Sequence, residues 1–151
     1  MNNLGFYKLS PEAKLPTYGT SGAACFDFYS FSEDTYLYPG QKEIFNIGLI
    51  PVIPEGFSLR IHPRSGLAFK HSVTLVNAEG IIDEDYADEM KVALYMFEDV
   101  YDYNQEPVLI KKFDRIAQGE LVKNEKVFIY EQFLRPGKIG NRDGGFGSTG
   151  N

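Results

Sequence analysis

One short segment of the chain has the residue types that bind a chain of phosphates. Pro63-Arg64-Ser65-Gly66 joins a forked guanidinium cation to a hydroxyl and to backbone N–H groups that glycine leaves accessible. Charge-assisted forked contacts and successive N–H groups are well suited to phosphate oxygens. An ordinary surface turn with a solvated arginine has the same composition, so this segment alone leaves both interpretations open.

The acidic segment of residues 77–86 combines a carboxylate with a stretch of uncharged backbone. Gly80, Ile81 and Ile82 stand between polar residues, which suggests backbone that is exposed for pairing with a flat ligand. Aspartate side chains are ionised in neutral water, so Asp83 could act as a general base toward water. Tyr86 could form a wall beneath a sugar. The alternative is a hairpin tip whose acidic side chains are only solvated.

The C-terminal residues 135–151 differ in kind from the rest of the chain, because six of them are glycine. Glycine buries no side chain and loses the most entropy on ordering, so this stretch cannot build core. We predict a flexible arm that orders on a ligand, with a disordered terminus as the alternative. Within the arm, Phe146 could stack on a base, and Gly147, Ser148 and Thr149 could bind phosphate oxygens.

Short strands must position these segments. Aromatic and β-branched runs lie between regularly spaced Gly and Pro residues, which indicates an all-β sandwich or barrel rather than a βαβ fold. We expect one β domain over residues 1–134, followed by the arm, and one short helical turn at residues 66–71. The predicted strands are residues 24–31, 42–53, 57–62, 73–76, 89–97, 108–110, 115–122 and 127–133.

Composition and charge exclude several classes of protein. The net charge of −6 argues against a nucleic-acid-binding surface, although a few local arginines can still bind a small phosphorylated ligand. No apolar run is long enough to span a membrane, and we expect no membrane association. Cys25 is the only cysteine, so an internal disulfide is impossible; a buried structural thiol and a cytoplasmic location are expected.

Five short motifs occur in order along the chain. They are Ala24-Cys25-Phe26-Asp27-Phe28, Pro63-Arg64-Ser65-Gly66-Leu67-Ala68, Gly80-Ile81-Ile82-Asp83-Glu84-Asp85-Tyr86, Asp114-Arg115-Ile116-Ala117-Gln118 and Gly144-Gly145-Phe146-Gly147-Ser148-Thr149-Gly150. With these motifs, most of the chain resembles the trimeric deoxyuridine triphosphatase (dUTPase) family, which has all five in the same order. Any one motif is weak evidence, whereas five in order are strong.

The resemblance implies a jelly-roll β protein that forms a homotrimer with active sites shared between subunits. It implies a dUTP diphosphatase, an enzyme that hydrolyses dUTP to dUMP and pyrophosphate with Mg²⁺ on the triphosphate. By position, Asp83 would activate the water that attacks the α-phosphorus, and Asp27 would lie near the water shell of the metal. Tyr86 would pack under the deoxyribose and exclude a ribose hydroxyl.

The same resemblance implies the other substrate-binding residues. The uracil edge would be read by Asn77 and by the backbone of Gly80, Ile81, Ile82 and Lys91. The phosphates would be held by Arg64, Ser65, Gly66 and Gln118. The arm would contribute Arg142, Phe146, Gly147, Ser148 and Thr149.

Three departures from the family pattern bear on these assignments. Cys25-Phe26 stands where Gly-Tyr is common, so a tyrosine hydroxyl is lost. Phe113 replaces a common glycine, which would alter the turn before Asp114. Asn141 occupies the usual place of the arm arginine, so Arg142, one residue later, is the expected phosphate clamp.

Adjacent Asp114 and Arg115, taken by themselves, are expected to form an ordinary ion pair. Two other functions remain open for the chain. The first is a deoxycytidine triphosphate deaminase, which resembles dUTPase in fold but lacks the glycine-rich arm motif. The second is a non-catalytic β protein that senses nucleotides. Residues 97–107 carry no family motif.

Overall fold

Twelve short β-strands and one helix form the described part of the chain, which covers residues 3–102, 104–137 and 140 in this computed structural model. Within these ranges no helix has the length and apolar character needed to cross a membrane. The elements are β1 (Gly5–Lys8), β2 (Thr17–Tyr18), β3 (Phe26–Tyr29), β4 (Thr35–Leu37), β5 (Lys42–Asn46), β6 (Leu49–Val52), β7 (Phe57–His62), α1 (Ser65–His71), β8 (Val73–Leu75), β9 (Gly80–Ile82), β10 (Lys91–Met96), β11 (Val108–Ile110) and β12 (Arg115–Lys123).

The strands pair antiparallel in four sheets. The largest has the order β2-β3-β12-β7-β9, a second has the order β5-β10-β8, and β1-β6 and β11-β4 are two-stranded. In the largest sheet Gln118 on β12 lies between Asp27 on β3 and His62 on β7. The register therefore brings the motifs that contain Asp27 and Gln118 side by side, and the motif that begins at Pro63 directly follows His62. The predicted all-β class with one short helix is confirmed.

A core of aromatic and aliphatic side chains holds the sheets together. Phe28, Phe45, Leu59 and Leu94 are at most 1% exposed, and the ring of Phe28 makes edge-on contacts with two other phenylalanine rings. Such burial is the main source of folding free energy for a domain of this size. Gly119 on β12 is needed here, because a Cβ at that position would lie 2.7 Å from the Phe28 ring. The same Cβ would lie 2.9 Å from a backbone oxygen of β7.

The predicted strand over residues 42–53 is two strands, β5 and β6, divided at Gly48. That glycine has a φ of +73°, and a Cβ there would lie 2.8 Å from the ring of Phe31. The bend lets β5 pair with β10 while β6 pairs with β1. Hydrophobic alternation alone could not locate this bend, because apolar residues continue on both sides of it.

The predicted strand over residues 127–133 is wrong: these residues form no strand within the described chain. Phe128, Ile129 and Phe133 are 87–88% exposed. A strand forms only where a neighbouring backbone satisfies its N–H and C=O groups, and this segment follows the last paired strand, β12. It thus leaves a run of large apolar side chains in solvent.

Candidate active site

Two arginines and one aspartate form a cluster where β3, β7 and β12 meet. Pro63 follows β7, and Arg64 next to it has extended backbone and precedes the first residue of α1. The Arg64 Nε donates to Asp27 Oδ1 at 2.7 Å, and Arg115 Nη1 donates to Asp27 Oδ2 at 3.1 Å. Arg64 also donates from Nη1 to the carbonyl of Arg115 at 2.9 Å. The cluster keeps a net positive charge because two guanidinium groups share one carboxylate.

This cluster lines a pocket of about 250 Å³ that contains the predicted phosphate-binding residues of the described chain. Gln118 is fixed at its edge, since its amide donates to the carbonyl of Pro63 at 2.9 Å. Accessible N–H groups beside cationic side chains are suited to anionic oxygens. We call this the cationic pocket; it is lined by Gly19, Thr20, Ala23, Cys25, Asp27, Arg64, Ser65, Gly66, Arg115 and Gln118.

Arg115 takes a place that the sequence did not predict. The expected ion pair between adjacent Asp114 and Arg115 is wrong. The Asp114 carboxylate instead accepts the backbone N–H of Lys111 at 2.8 Å, and Arg115 turns to Asp27. Only the strand register, which sets β3 beside β12, brings Asp27 and Arg115 together; their positions in the sequence carry no such signal.

A second pocket of about 230 Å³ lies beside β9 and contains the other predicted group of residues. Because β9 is the last strand of its sheet and pairs only with β7 in the described chain, its other edge carries unpaired backbone groups. Ile81 on this edge is 55% exposed. We call this the hairpin pocket; it is lined by Ile61, Leu75, Asn77, Gly80, Ile81, Ile82, Asp83, Tyr86, Met90, Lys91 and Val92.

A tight turn positions the acid and the aromatic ring of the hairpin pocket. Asp83 follows β9 directly, and the backbone N–H of Tyr86 donates to the Asp83 carbonyl at 3.2 Å. The Tyr86 hydroxyl donates to the carbonyl of Glu89 at 2.8 Å, which holds the ring in the lining of the pocket. Asp83 is exposed to solvent. A carboxylate, an aromatic wall and a free strand edge therefore face one cavity.

The two pockets have no lining residue in common. Together they include the eleven predicted site residues that lie in the described chain, along with Asp27. The arm residues Arg142, Phe146, Gly147, Ser148 and Thr149 lie outside the described residues.

Comparison with known proteins decides the family. The family model described as dUTPase matches residues 11–150. This chain belongs to the dUTPase family. The match extends through the glycine-rich arm as well as the two pockets, so it includes all five dUTPase motifs identified in the sequence.

Two similar bacterial proteins are each named deoxyuridine 5'-triphosphate nucleotidohydrolase. The one from Nautilia profundicola is 42% identical over 144 residues, which is 95% of this chain and 95% of that protein. The one from Hydrogenobaculum sp. is 39% identical over 143 residues, with 95% and 94% coverage. These dUTPase relatives therefore match essentially the whole chain.

Solved dUTPase structures share the fold of this chain. The Staphylococcus bacteriophage 80alpha dUTPase with dUPNHPP aligns with a TM-score of 0.80 at 23% identity and covers 99% of both chains. The dUTPase from phage phi11 of S. aureus aligns with a TM-score of 0.76 at 21% identity, covering 89% of this chain and 98% of that one. This likeness confirms the predicted jelly-roll fold.

Phe113, which stands where dUTPases commonly have glycine, keeps the backbone of a glycine. Its φ is +70°, in the left-handed region that bulky side chains rarely adopt. Two ammonium groups lie near its ring, with Lys14 Nζ 4.5 Å and Lys112 Nζ 5.6 Å from the ring centroid. Cation–π attraction of this kind offsets part of the backbone strain. The turn before Arg115 therefore contains a phenylalanine in a left-handed backbone conformation.

The other departure from the family pattern in the described residues is Cys25-Phe26, where Cys25 lies in the cationic pocket and Phe26 lies in the core. Phe26 is buried and its ring packs edge-on against Phe28. Cys25 lines the cationic pocket and is only partly buried, which corrects the expectation of a buried thiol. Burial, together with the charges of Glu120 and Asp27, raises the pKa of the Cys25 thiol. The thiol is therefore protonated at neutral pH and is a poor nucleophile.

Proposed function

We propose that this chain is a dUTP diphosphatase, which hydrolyses dUTP to dUMP and pyrophosphate. The observation that carries the proposal is the junction of β9 and Asp83: an unpaired strand edge ends directly at an exposed carboxylate in a pocket of about 230 Å³. A strand edge can read a base, and a carboxylate one residue beyond it can act on the phosphate that the same nucleoside carries. Family membership and the names of the relatives support this proposal.

The free edge of β9 suits uracil. That base presents an acceptor, a donor and an acceptor in sequence, and a strand edge presents N–H and C=O groups in alternation. Cytosine has an acceptor in place of the N3–H donor and a donor in place of one acceptor, so it would leave buried polar groups unpaired. Such mismatches can discriminate by about 10⁴-fold or more. Asn77 adds an amide that can both donate and accept, and the backbone of Lys91 borders the same cavity.

Tyr86 acts as the sugar wall. Its hydroxyl is already bonded to the Glu89 carbonyl at 2.8 Å, so the ring cannot turn aside without losing that bond. A ring fixed in this way packs against a deoxyribose and leaves no room for a 2′-hydroxyl. We therefore assign the rejection of UTP to Tyr86.

Asp83 acts as the general base. Its carboxylate takes a proton from a water molecule while the water oxygen forms a bond to the α-phosphorus. The bond between that phosphorus and the oxygen bridging to the β-phosphorus breaks, and pyrophosphate leaves. A positioned general base contributes about 10²–10⁴-fold to such a reaction.

The cationic pocket holds the phosphates. Arg64 and Arg115 share Asp27 and keep their guanidinium groups in fixed directions, while Ser65, Gly66 and Gln118 border the same space. Preorganised cations stabilise charge that moves onto the leaving pyrophosphate. They also align the triphosphate for in-line attack.

The donor set fits Mg²⁺ that arrives with the nucleotide. Within the described residues no three His, Cys, Asp or Glu side chains form a metal cage. Mg²⁺ usually keeps several waters and is bound by substrate phosphates with one or two carboxylates. Asp27, whose oxygens each still have a free lone pair beside their arginine contacts, would hold the ion through water. When bound, the ion neutralises charge on the triphosphate.

A homotrimer with shared sites accounts for two features of the single chain. The hairpin pocket and the cationic pocket have no lining residue in common, and a second copy can bring one pocket against the other. Residues 127–134 expose large apolar side chains that a neighbouring subunit would cover. The arm, residues 135–151, then closes over the nucleotide of a neighbouring subunit. Light scattering should give three times the chain mass of 17.1 kDa. A monomer in solution would contradict the shared site.

The test of the proposed function uses four nucleotides, dUTP, dCTP, dTTP and UTP, each with Mg²⁺. Pyrophosphate and ammonia are measured separately. We expect pyrophosphate from dUTP alone. Ammonia from dCTP would identify a deaminase, and binding of dUTP without any product would identify a nucleotide sensor.

Two variants of the same hairpin refine the test. Asp83→Asn should bind dUMP normally but lose turnover by about 10²–10⁴-fold. The matched control Asp88→Asn changes another exposed carboxylate of this segment and should keep normal turnover. Equal turnover by the two variants would refute the role of Asp83. A cytoplasmic location remains a prediction that rests on the single cysteine.

A further inference from the structure

Glu84, the residue after Asp83, joins the turn that follows β9 to two other parts of the chain. Its Oε2 accepts the backbone N–H of Gly56 in the turn between β6 and β7. Its Oε1 accepts a hydrogen bond from Lys126 Nζ at 2.9 Å, just beyond the end of β12. Three segments that are distant in sequence therefore meet at one carboxylate.

The Gly56 partner of Glu84 is itself held in place. Gly56 has a φ of +78°, and its carbonyl accepts the backbone N–H of Asn124 at 2.8 Å. Phe57, the first residue of β7, closes the same turn by donating its N–H to the Pro54 carbonyl at 3.2 Å. Glu84 Oε2 is thus bound to a backbone turn that is held at the start of β7 and just beyond the end of β12.

The turn that carries Asp83 has few other supports in the described chain. Upstream of Asp83 the backbone is held by the β9–β7 ladder, which pairs Gly80 with Ile61 and Ile82 with Leu59. That ladder ends at Ile82. The bond from the Tyr86 N–H to the Asp83 carbonyl closes the turn on itself. Downstream, the Tyr86 hydroxyl attaches the turn to the carbonyl of Glu89, whose side chain accepts the Gly48 N–H at 2.9 Å, but these bonds do not hold the residues directly after Asp83.

We propose that Glu84 is a positioning residue for the hydrolytic step: its carboxylate attaches the turn that carries Asp83 to the β6–β7 turn and to Lys126. This inference rests on the proposed function, because it assigns Glu84 a role through Asp83. Glu84 does not line the hairpin pocket and so does not itself contact the nucleotide there.

The two contacts of Glu84 contribute unequally. The Lys126 side chain is 79% exposed, whereas that of Glu84 is 25% exposed, so water and salt screen the ion pair. The bond to the Gly56 N–H is made to rigid backbone at a glycine turn. The hydrogen bonds from Lys126 and Gly56 lower the pKa of Glu84, so the carboxylate stays charged at neutral pH. We therefore assign most of the positioning to the Gly56 bond.

Substitutions at Glu84 separate the two contacts. Glu84→Ala removes both, Glu84→Gln keeps an amide oxygen for the Gly56 N–H, and Lys126→Met removes only the ion pair. A displacement of about 1 Å in a reacting group can cost about 10²-fold in rate. We therefore expect Glu84→Ala to lower kcat by about 10-fold or more, and Glu84→Gln and Lys126→Met to stay within about 3-fold of wild type. Glu125→Gln and Lys123→Met, which change nearby exposed charges, are the matched controls.

The division between kcat and KM distinguishes positioning from loss of structure. The β9–β7 ladder holds the strand whose free edge is proposed to bind uracil, and this ladder does not include Glu84. KM for dUTP and the affinity for dUMP should therefore change by less than about 3-fold in Glu84→Ala. Thermal unfolding of each variant gives the fraction folded at the assay temperature.

Three outcomes overturn the inference: normal kcat in Glu84→Ala, a kcat loss that equals the loss of folded protein, or equal losses in Glu84→Ala and Glu84→Gln. Each requires an active wild-type enzyme. Absence of dUTP hydrolysis by the wild type would instead overturn the proposed function, so the two failures are distinguishable.

Discussion

Replacement of Asp27 by alanine should destabilise the protein through the two arginines that this carboxylate holds. Asp27 is 8% exposed and lies between Arg64 and Arg115. Removing one member of such a cluster leaves positive charges close together without their counter-ion. The same carboxylate aligns both guanidinium groups toward the cationic pocket, so the substitution tests the framework of the site.

The expected loss of stability follows from the solvent exposure of the two ion pairs that Asp27 forms. The contact between Arg64 and Asp27 is short, at 2.7 Å, and the two side chains are 22% and 12% exposed, so it should contribute about 1.5–3 kcal/mol. Arg115 is 52% exposed, and its contact should contribute less than about 1 kcal/mol. The total of about 1.5–4 kcal/mol corresponds to a fall of roughly 3–16 °C in Tm.

Thermal unfolding at one fixed protein concentration measures this effect, because the stability of an oligomer depends on concentration. Asp27→Asn keeps one carbonyl oxygen that can accept from an arginine, so its Tm should fall less than that of Asp27→Ala. Glu125→Ala, at an exposed position, is the control and should leave Tm within about 2 °C of wild type. An Asp27→Ala protein with the Tm of the control would show that the arginine cluster does not hold the framework.

Three other predictions concern packing, the arm and pH. Gly119→Ala should cost about 1–3 kcal/mol because its Cβ would overlap a ring and a backbone oxygen, whereas Gly22→Ala, with open space around it, should not lower Tm. Deletion of residues 140–151 should leave Tm without ligand unchanged but reduce pyrophosphate release by about 10-fold or more; unchanged release would make this segment a plain terminus. Urea unfolding at a series of pH values should show the contribution of Glu84 to the free energy of unfolding. This contribution should be complete above the ordinary glutamate pKa and should be lost as the pH falls through the lowered pKa of Glu84. At alkaline pH the same contribution should fade above the raised pKa of Lys126, and a pH-independent difference between wild type and Glu84→Gln would contradict the ion pair.

Residues whose position depends on local sequence were predicted well. The strand β7 and the helix α1 were predicted to within one residue, because alternation and turn residues bound them. Seven of the eleven residues that line the hairpin pocket were predicted as one group, since they lie close in sequence around β9. For these elements the local sequence pattern was sufficient to predict the structure.

Contacts between distant segments were not predictable in this way. The sharing of Asp27 by Arg64 and Arg115, and the attachment of Glu84 to Gly56 and Lys126, depend on strand order and register. Hydrophobic alternation does not encode that order.

Residues 127–133 are a strand that the sequence predicted and the structure does not form. This segment is a run of aromatic and β-branched residues, which is typical of strands, but it lacks a partner in the described chain. A sequence pattern predicts that a segment is able to form a strand. It does not provide the neighbouring backbone that a strand requires.

The site of water attack tests the central claim most directly. Hydrolysis of dUTP in water enriched in oxygen-18, followed by mass spectrometry of both products, shows which phosphorus the water attacks. Because Asp83 lies beside the strand edge that would hold the base, the attack should fall on the α-phosphorus, and the label should enter dUMP alone. Label in pyrophosphate would place the attack on the β-phosphorus and would contradict the assignment of Asp83 as the base acting at the nucleoside end of the triphosphate.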